Sequence, residues 1–136
     1  MKVKALDHVS ISTRCLDDTR KFYEDVLGFE VGARPQLAST GYWLYSDGKA
    51  TVHVVLNEKD EPTVPIKASA EEMQESGIDN HIAFTVEDGK AVTDRLTELG
   101  YGYWDRDLSD RGLYQVFVKD PNGVTLELND YYCERE

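Results

Sequence analysis

Four side chains of metal-binding type stand out in the sequence: His8, His53, His81 and Glu127. Neutral imidazoles and a carboxylate are the donors that hold a divalent transition metal on one side and leave positions open for a substrate or O2. Imidazole is also the group that moves protons near neutral pH. These are the only three histidines in the chain. Taken singly, a strand histidine is more often a hydrogen-bonded structural residue, and a glutamate after a hairpin turn is more often solvated. Their spacing argues otherwise. His8 and His81 lie 73 residues apart (8 to 81) and His53 and Glu127 lie 74 apart (53 to 127), so the four occupy two pairs of equivalent places in an internal repeat.

The elements that must position them follow from that repeat. LDHVSIST and DNHIAFTV each carry a histidine before an alternating apolar run, and each is followed by an acidic turn and a segment with helical apolar spacing. The spacing predicts a helix from about Asp17 to Leu27, with Phe22, Val26 and Leu27 on its apolar face and Gly28 as its stop. A second is predicted from about Gly89 to Leu99, with Val92, Leu96 and Leu99 as its apolar face and Gly100 as its stop. Three strand-like segments follow each helix: 29–34, 41–46 and 50–56, then 102–106, 113–119 and 123–128. SDGK and DPNG are hairpin turns ahead of the strands that carry His53 and Glu127. Each half therefore reads βαβββ, an α+β class of fold: residues 1–57 form a first module, 78–130 a second, and the whole chain a single domain. The interval 58–77 is polar and acidic, carries Pro62 and Pro65, and reads as a linker or flap; within it SAEEMQESG fits a short helix with a serine N-cap. Because strands alternate faces, His8, Ser10 and Ser12 point one way, as do His81, Ala83 and Thr85, Thr51 with His53, and Thr125 with Glu127 and Asn129.

Composition narrows the partners. A net charge of −11 repels phosphate backbones and anionic lipid, which argues against nucleic acid and membrane surfaces. No apolar run reaches the roughly 20 residues of a membrane span, and MKVKALDHV has no signal-like apolar core, so the expected location is cytoplasmic. Cys15 and Cys133 have no metal or redox spacing and read as inert thiols. Trp43, Tyr45, Tyr103, Trp104 and Phe117 fall on strands that can wall an apolar site, and Gln115 and Arg111 are candidate polar contacts to a small-molecule substrate.

LDHVSIST followed by RKFYEDVLGFEV, then NHIAFTVED, then QVFVKDPNGVTLELN, in that order over nearly the whole chain, resembles the vicinal oxygen chelate superfamily. That group contains glyoxalase I, extradiol dioxygenases, fosfomycin resistance proteins and bleomycin resistance proteins. The resemblance implies two tandem βαβββ modules curled into a barrel-like cup, paired within one chain or across a homodimer. It also implies one divalent metal ion held by His8, His81 and Glu127. His53 takes the place where glyoxalase I enzymes resemble one another in having a second glutamate. Extradiol dioxygenases instead have a further histidine in this interval that works as acid and base. The expectation is therefore an extradiol-type dioxygenase using Fe(II), with His53 and Glu127 as the catalytic side chains. The alternatives are a glyoxalase I-like lyase or isomerase using Ni, Zn, Co or Mn, and a metal-free binding protein of the bleomycin resistance kind.

Overall fold

The structure is a computed structural model that describes residues 1–57, 64–75 and 79–134. The chain divides into two compact units, Met1–Val64 and Pro65–Glu136.

The first unit runs β1 (Val9–Thr13), α1 (Leu16–Leu27), β2 (Glu30–Gly32), β3 (Gly41–Ser46) and β4 (Lys49–Leu56). Its sheet has the order β1-β4-β3-β2, with β1 parallel to β4 and the other pairs antiparallel. Strand alternation buries Ile11 and Thr13 and leaves Ser10 and Ser12 exposed. On α1 the buried residues Thr19, Phe22, Tyr23 and Val26 recur at helical spacing. Leu44, Val52 and Val54, all at 0% exposure, join them in the core; each fully buried side chain of this size contributes about 1.5–3 kcal/mol of transfer free energy. The helix ends at Gly28, whose φ of 72° suits a residue without Cβ. The amide of Phe29 is drawn into that cap, donating to Tyr23 O at 3.0 Å. β2 accordingly starts one residue later than the apolar pattern predicts. In the SDGK turn Asp47 and Gly48 have φ of 52° and 77°, the paired positive values of a two-residue hairpin loop.

The second unit runs α2 (Ala70–Glu75), β5 (His81–Thr85), α3 (Gly89–Leu99), β6 (Trp104–Leu108), β7 (Leu113–Lys119) and β8 (Thr125–Asp130). Its sheet repeats the first in the order β5-β8-β7-β6, with β5 parallel to β8. Asp88 caps α3 by accepting from the Ala91 amide at 3.1 Å. The helix buries Val92, Thr93 and Leu96, and the core of this unit includes the fully buried Val116, Val118, Leu126 and Leu128. In the DPNG turn the buried Asp120 carboxylate accepts from the amides of Asn122 and Val124 at 2.8 and 3.0 Å, which closes the loop into β8.

β6 begins at Trp104 rather than at 102. A Cβ on Gly102 would lie 2.3 Å from Ala68 O, so this residue serves the close approach of the chain leading into α2 and is unavailable as strand. That chain is tied to the second unit: Ile66 N donates to Pro121 O at 2.8 Å, and Lys67 Nζ to Leu99 O at 3.0 Å. Ser69 and Glu72 cap α2 reciprocally, each side chain accepting from the other's amide at 3.2 Å. Met73 is fully buried against Ala68 and Phe117. Pro62 and Gly77 of the sequence-predicted linker lie outside the described residues. Among the described residues no helix is long and apolar enough to cross a membrane. Neither Cys15, which is buried, nor Cys133, which is exposed, forms a disulfide among the described residues.

Candidate functional site

The parallel pairs β1/β4 and β5/β8 place the chemistry-bearing residues in the same way in each unit. In the first, Ser10 lies opposite His53, so His53 stands beside the residue two after His8. In the second, Ala83 lies opposite Glu127, two after His81. Each unit thus brings together one histidine from its first strand and one donor from its last.

In the second unit, His81 Nε2 lies 3.7 Å from Glu127 Oε1, with the side chains 32% and 17% exposed. The other ring nitrogen decides which form of the ring faces that gap. His81 Nδ1 is 2.8 Å from the backbone oxygen of Asp79, which only accepts, so Nδ1 carries the hydrogen. Nε2 then faces a carboxylate oxygen with a lone pair unless a proton or a cation stands between them. At 3.7 Å the separation is too long for a hydrogen bond. Two donors bound to one ion at about 2.1 Å each sit roughly 3.0–3.4 Å apart, so a few tenths of an ångström of closure suffice to share one.

Glu127 is oriented from behind. Asn129 Nδ2 donates to Glu127 Oε2 at 2.9 Å, Gln115 Nε2 to Asn129 Oδ1 at 2.9 Å, and Arg106 Nε to Gln115 Oε1 at 2.7 Å. A guanidinium only donates and a carboxylate only accepts, so the chain has one polarity and both amide orientations are fixed by its ends. Gln115 and Asn129 are 6% and 7% exposed, so both amides are held out of water and the Glu127 carboxylate is locked through Oε2 while Oε1 stays available.

In the first unit, His8 Nδ1 lies 2.6 Å from Asp7 Oδ2, which leaves its Nε2 uncommitted. The same contact holds the Asp7 carboxyl below its ordinary range. Carboxylate or carbonyl on one ring nitrogen and a free lone pair on the other is the arrangement of metal-binding histidines, and His8 and His81 both have it. His53 is held differently. Its Nε2 donates to Ala50 O at 3.1 Å, so the bare nitrogen is Nδ1. Its ring is stacked between His8, at 3.8 Å, and Trp43, at 4.1 Å between centroids. Burial, followed by the neighbouring charge of His8, lowers its pKa from the usual histidine value, which favours the neutral, proton-accepting form.

The donor chemistry therefore fits a divalent ion, and no metal enters the distances above. Among the described residues of either unit, no group of three or more His, Cys, Asp or Glu side chains is assembled as a complete ligand set. Of the predicted site residues, the structure pairs the expected ligands His81 and Glu127, and sets the third expected ligand, His8, against the expected acid–base residue His53.

Among the predicted wall residues, Trp43 covers His53, and Trp104 and Phe117 pack at 5.4 Å on the face that carries Glu127. Tyr45 turns its hydroxyl to Ala33 O, Tyr103 is half-buried ahead of β6, and Arg111 is exposed in a 3₁₀ turn at Ser109–Arg111. Gln115 lies in the hydrogen-bond chain behind Glu127. Arg106 was not singled out from the sequence, although the alternation that puts Trp104 on this face puts Arg106 there too.

The fold and these pairs can be set beside known proteins. The family described as Glyoxalase/Bleomycin resistance protein/Dioxygenase superfamily matches residues 5–128. A protein from Arabidopsis thaliana named Glyoxylase I 4 is 31% identical over 131 residues, 94% of this chain and 71% of that protein. A glyoxylase/bleomycin resistance protein/dioxygenase domain from Frankia sp. EAN1pec superposes with a TM-score of 0.70 at 17% identity, covering 95% of this chain and 98% of that one. The fosfomycin resistance protein FosX from Listeria monocytogenes, complexed with Mn(II) and sulfate, gives 0.64 at 15% identity, covering 95% and 93%. With the repeated βαβββ modules and a family match over nearly all of its length, the chain belongs to the glyoxalase, bleomycin resistance protein and dioxygenase superfamily.

Proposed function

We propose that the protein is a divalent-metal-dependent enzyme acting on a small substrate bound through two adjacent oxygens, with His8, His81 and Glu127 as the metal ligands. The observation that carries this reading is the His81–Glu127 pair, whose facing atoms are free while both outer atoms are held by hydrogen bonds. Mn(II) on the FosX relative supports the class of ion. When bound, the ion would polarise the two substrate oxygens and lower their pKa values. The chain's own part is to orient Glu127 through Asn129, to keep His81 Nε2 turned outward through Asp79, and to accept a substrate proton at His53 Nδ1.

That proton role supports an extradiol-type dioxygenase using Fe(II), with three protein ligands and positions left open. A glyoxalase I-like lyase or isomerase using Ni, Zn, Co or Mn is the second reading, favoured by the name of the Arabidopsis relative. There His53 would be a fourth ligand and Glu127 the base. Protein purified without chelators should contain close to one divalent metal per chain. Oxygen uptake with catechols supports the first reading; loss of the methylglyoxal–glutathione hemithioacetal supports the second. No bound metal and no turnover of either substrate leaves a metal-free binding protein.

A homodimer belongs to the same reading, since β2 is an exposed edge strand presenting Val31 at 43% exposure. Multi-angle light scattering at micromolar concentration should return twice the chain mass of 15.4 kDa. A strict monomer removes the dimer and leaves the metal reading untouched.

A further inference from the structure

The hydrogen-bond chain behind Glu127 ends on a cation, Arg106, for which the described residues provide no carboxylate partner. Arg106 donates from Nε to Gln115 Oε1 at 2.7 Å, and its guanidinium carbon lies 5.6 Å from the Trp104 ring centroid and 5.8 Å from that of Phe117. Amide and rings together fix the plane of the group, so little side-chain entropy is left to lose on binding. Among the described residues neither Nη1 nor Nη2 donates a hydrogen bond. The two acidic neighbours on β6 are engaged elsewhere: Asp105 accepts from the Tyr114 hydroxyl and Asp107 from the Tyr132 hydroxyl. Strand alternation turns both away from the Arg106 face. Arg106 is in register with Gln115 and Gln115 with Asn129, the residue two beyond Glu127, so the cation and the His81–Glu127 pair share one face two strands apart.

The geometry points to Arg106 as the residue that anchors a carboxylate on the substrate. The free Nη1/Nη2 edge presents two parallel N–H groups at the spacing of two carboxylate oxygens. Two strand spacings, roughly 10 Å between backbones, are shortened by the long arginine side chain to the reach of a small ring compound. The substrate class is then a vicinal dioxygen compound that also carries a carboxylate. This rests on the metal reading above for the dioxygen end and on Arg106 alone for the acidic end.

Matched probes separate the two ends. Binding of benzoate, catechol and 3,4-dihydroxybenzoate is measured by calorimetry on the metal-loaded wild type and on Arg106→Gln, Arg106→Lys and His81→Ala, with thermal midpoints as the folding control. Arg106→Gln puts an amide nitrogen where Arg106 Nε stands, so the bond to Gln115 Oε1 that supports Glu127 can be kept while the Nη1/Nη2 edge is lost. It should weaken benzoate and 3,4-dihydroxybenzoate about tenfold, the loss of one charge-assisted contact, and leave catechol and bound metal unchanged. Arg106→Lys should fall between, keeping the charge without the fork. His81→Ala should weaken catechol and leave benzoate as it was. Equal weakening of all three probes by Arg106→Gln, no weakening of the two acids, or no measurable binding of either acid to the wild type overturns the assignment. If the preference for acids persists in His81→Ala while metal content is the same as in the wild type, the metal reading fails and the Arg106 site stands.

Discussion

His81→Ala should abolish tight binding of divalent metal while the protein stays folded. In the proposed site the ring is one of three protein donors, and its Nε2 is the atom turned toward Glu127 Oε1. Removing an outer partner of a metal ligand commonly costs 10–100-fold in affinity, so removing the ligand itself should cost about a hundredfold or more. Asn129→Ala supplies the graded control. It frees Glu127 Oε2 without touching a donor atom, and its expected loss is about 10–100-fold. The fold should tolerate His81→Ala, because the side chain is 32% exposed and its one described hydrogen bond runs to the oxygen of Asp79. Metal titration by calorimetry, with circular dichroism to follow the melt, reads both effects. Unchanged stoichiometry and affinity in His81→Ala would remove His81 from the site.

How much of this was legible in the sequence depends on how local each determinant is. The helix Gly89–Leu99 is bounded by an Asp88 cap and a Gly100 stop, both written in adjacent residues, and the predicted limits coincide with the observed ones. β6 was displaced by two residues for a reason no local pattern holds: Gly102 is consumed by contact with the chain around Ala68, more than thirty positions earlier. The repeat put His81 and Glu127 on the first and last strands of one module; that these strands lie parallel and adjacent, which brings the two side chains together, comes from the structure. The hydrogen-bond chain behind Glu127 did not follow from the repeat. Gln115, Asn129 and Arg106 are connected by strand register, and register depends on where turns and bulges fall, which residue types along one strand do not reveal. The stacking of His53 between His8 and Trp43 is likewise a product of register, through the opposition of Trp43 and His53 on β3 and β4.

That stack makes His53 the residue on which the choice of chemistry turns. His53→Gln should keep its metal and lose most of its turnover. Glutamine can still donate from its side-chain amide toward Ala50 O, so the local hydrogen bond is conserved, but it offers no basic nitrogen in place of Nδ1. Loss of a positioned acid–base group costs about 10²–10⁴-fold in rate. The fall should appear in kcat, with KM changed far less, because the proton moves in the transition state and contributes little to ground-state binding. The burial that lowers the His53 pKa supports the same role, since a proton acceptor must be empty before it works. The measurement is steady-state kinetics on whichever substrate the metal-loaded wild type turns over, paired with metal analysis of the same variant. Retained metal with a depressed kcat assigns the proton step to His53 and favours three protein ligands with open positions. Metal lost along with activity would make His53 a fourth ligand and move the preferred chemistry from ring cleavage with O2 to a glyoxalase-like proton transfer, with Glu127 as the base.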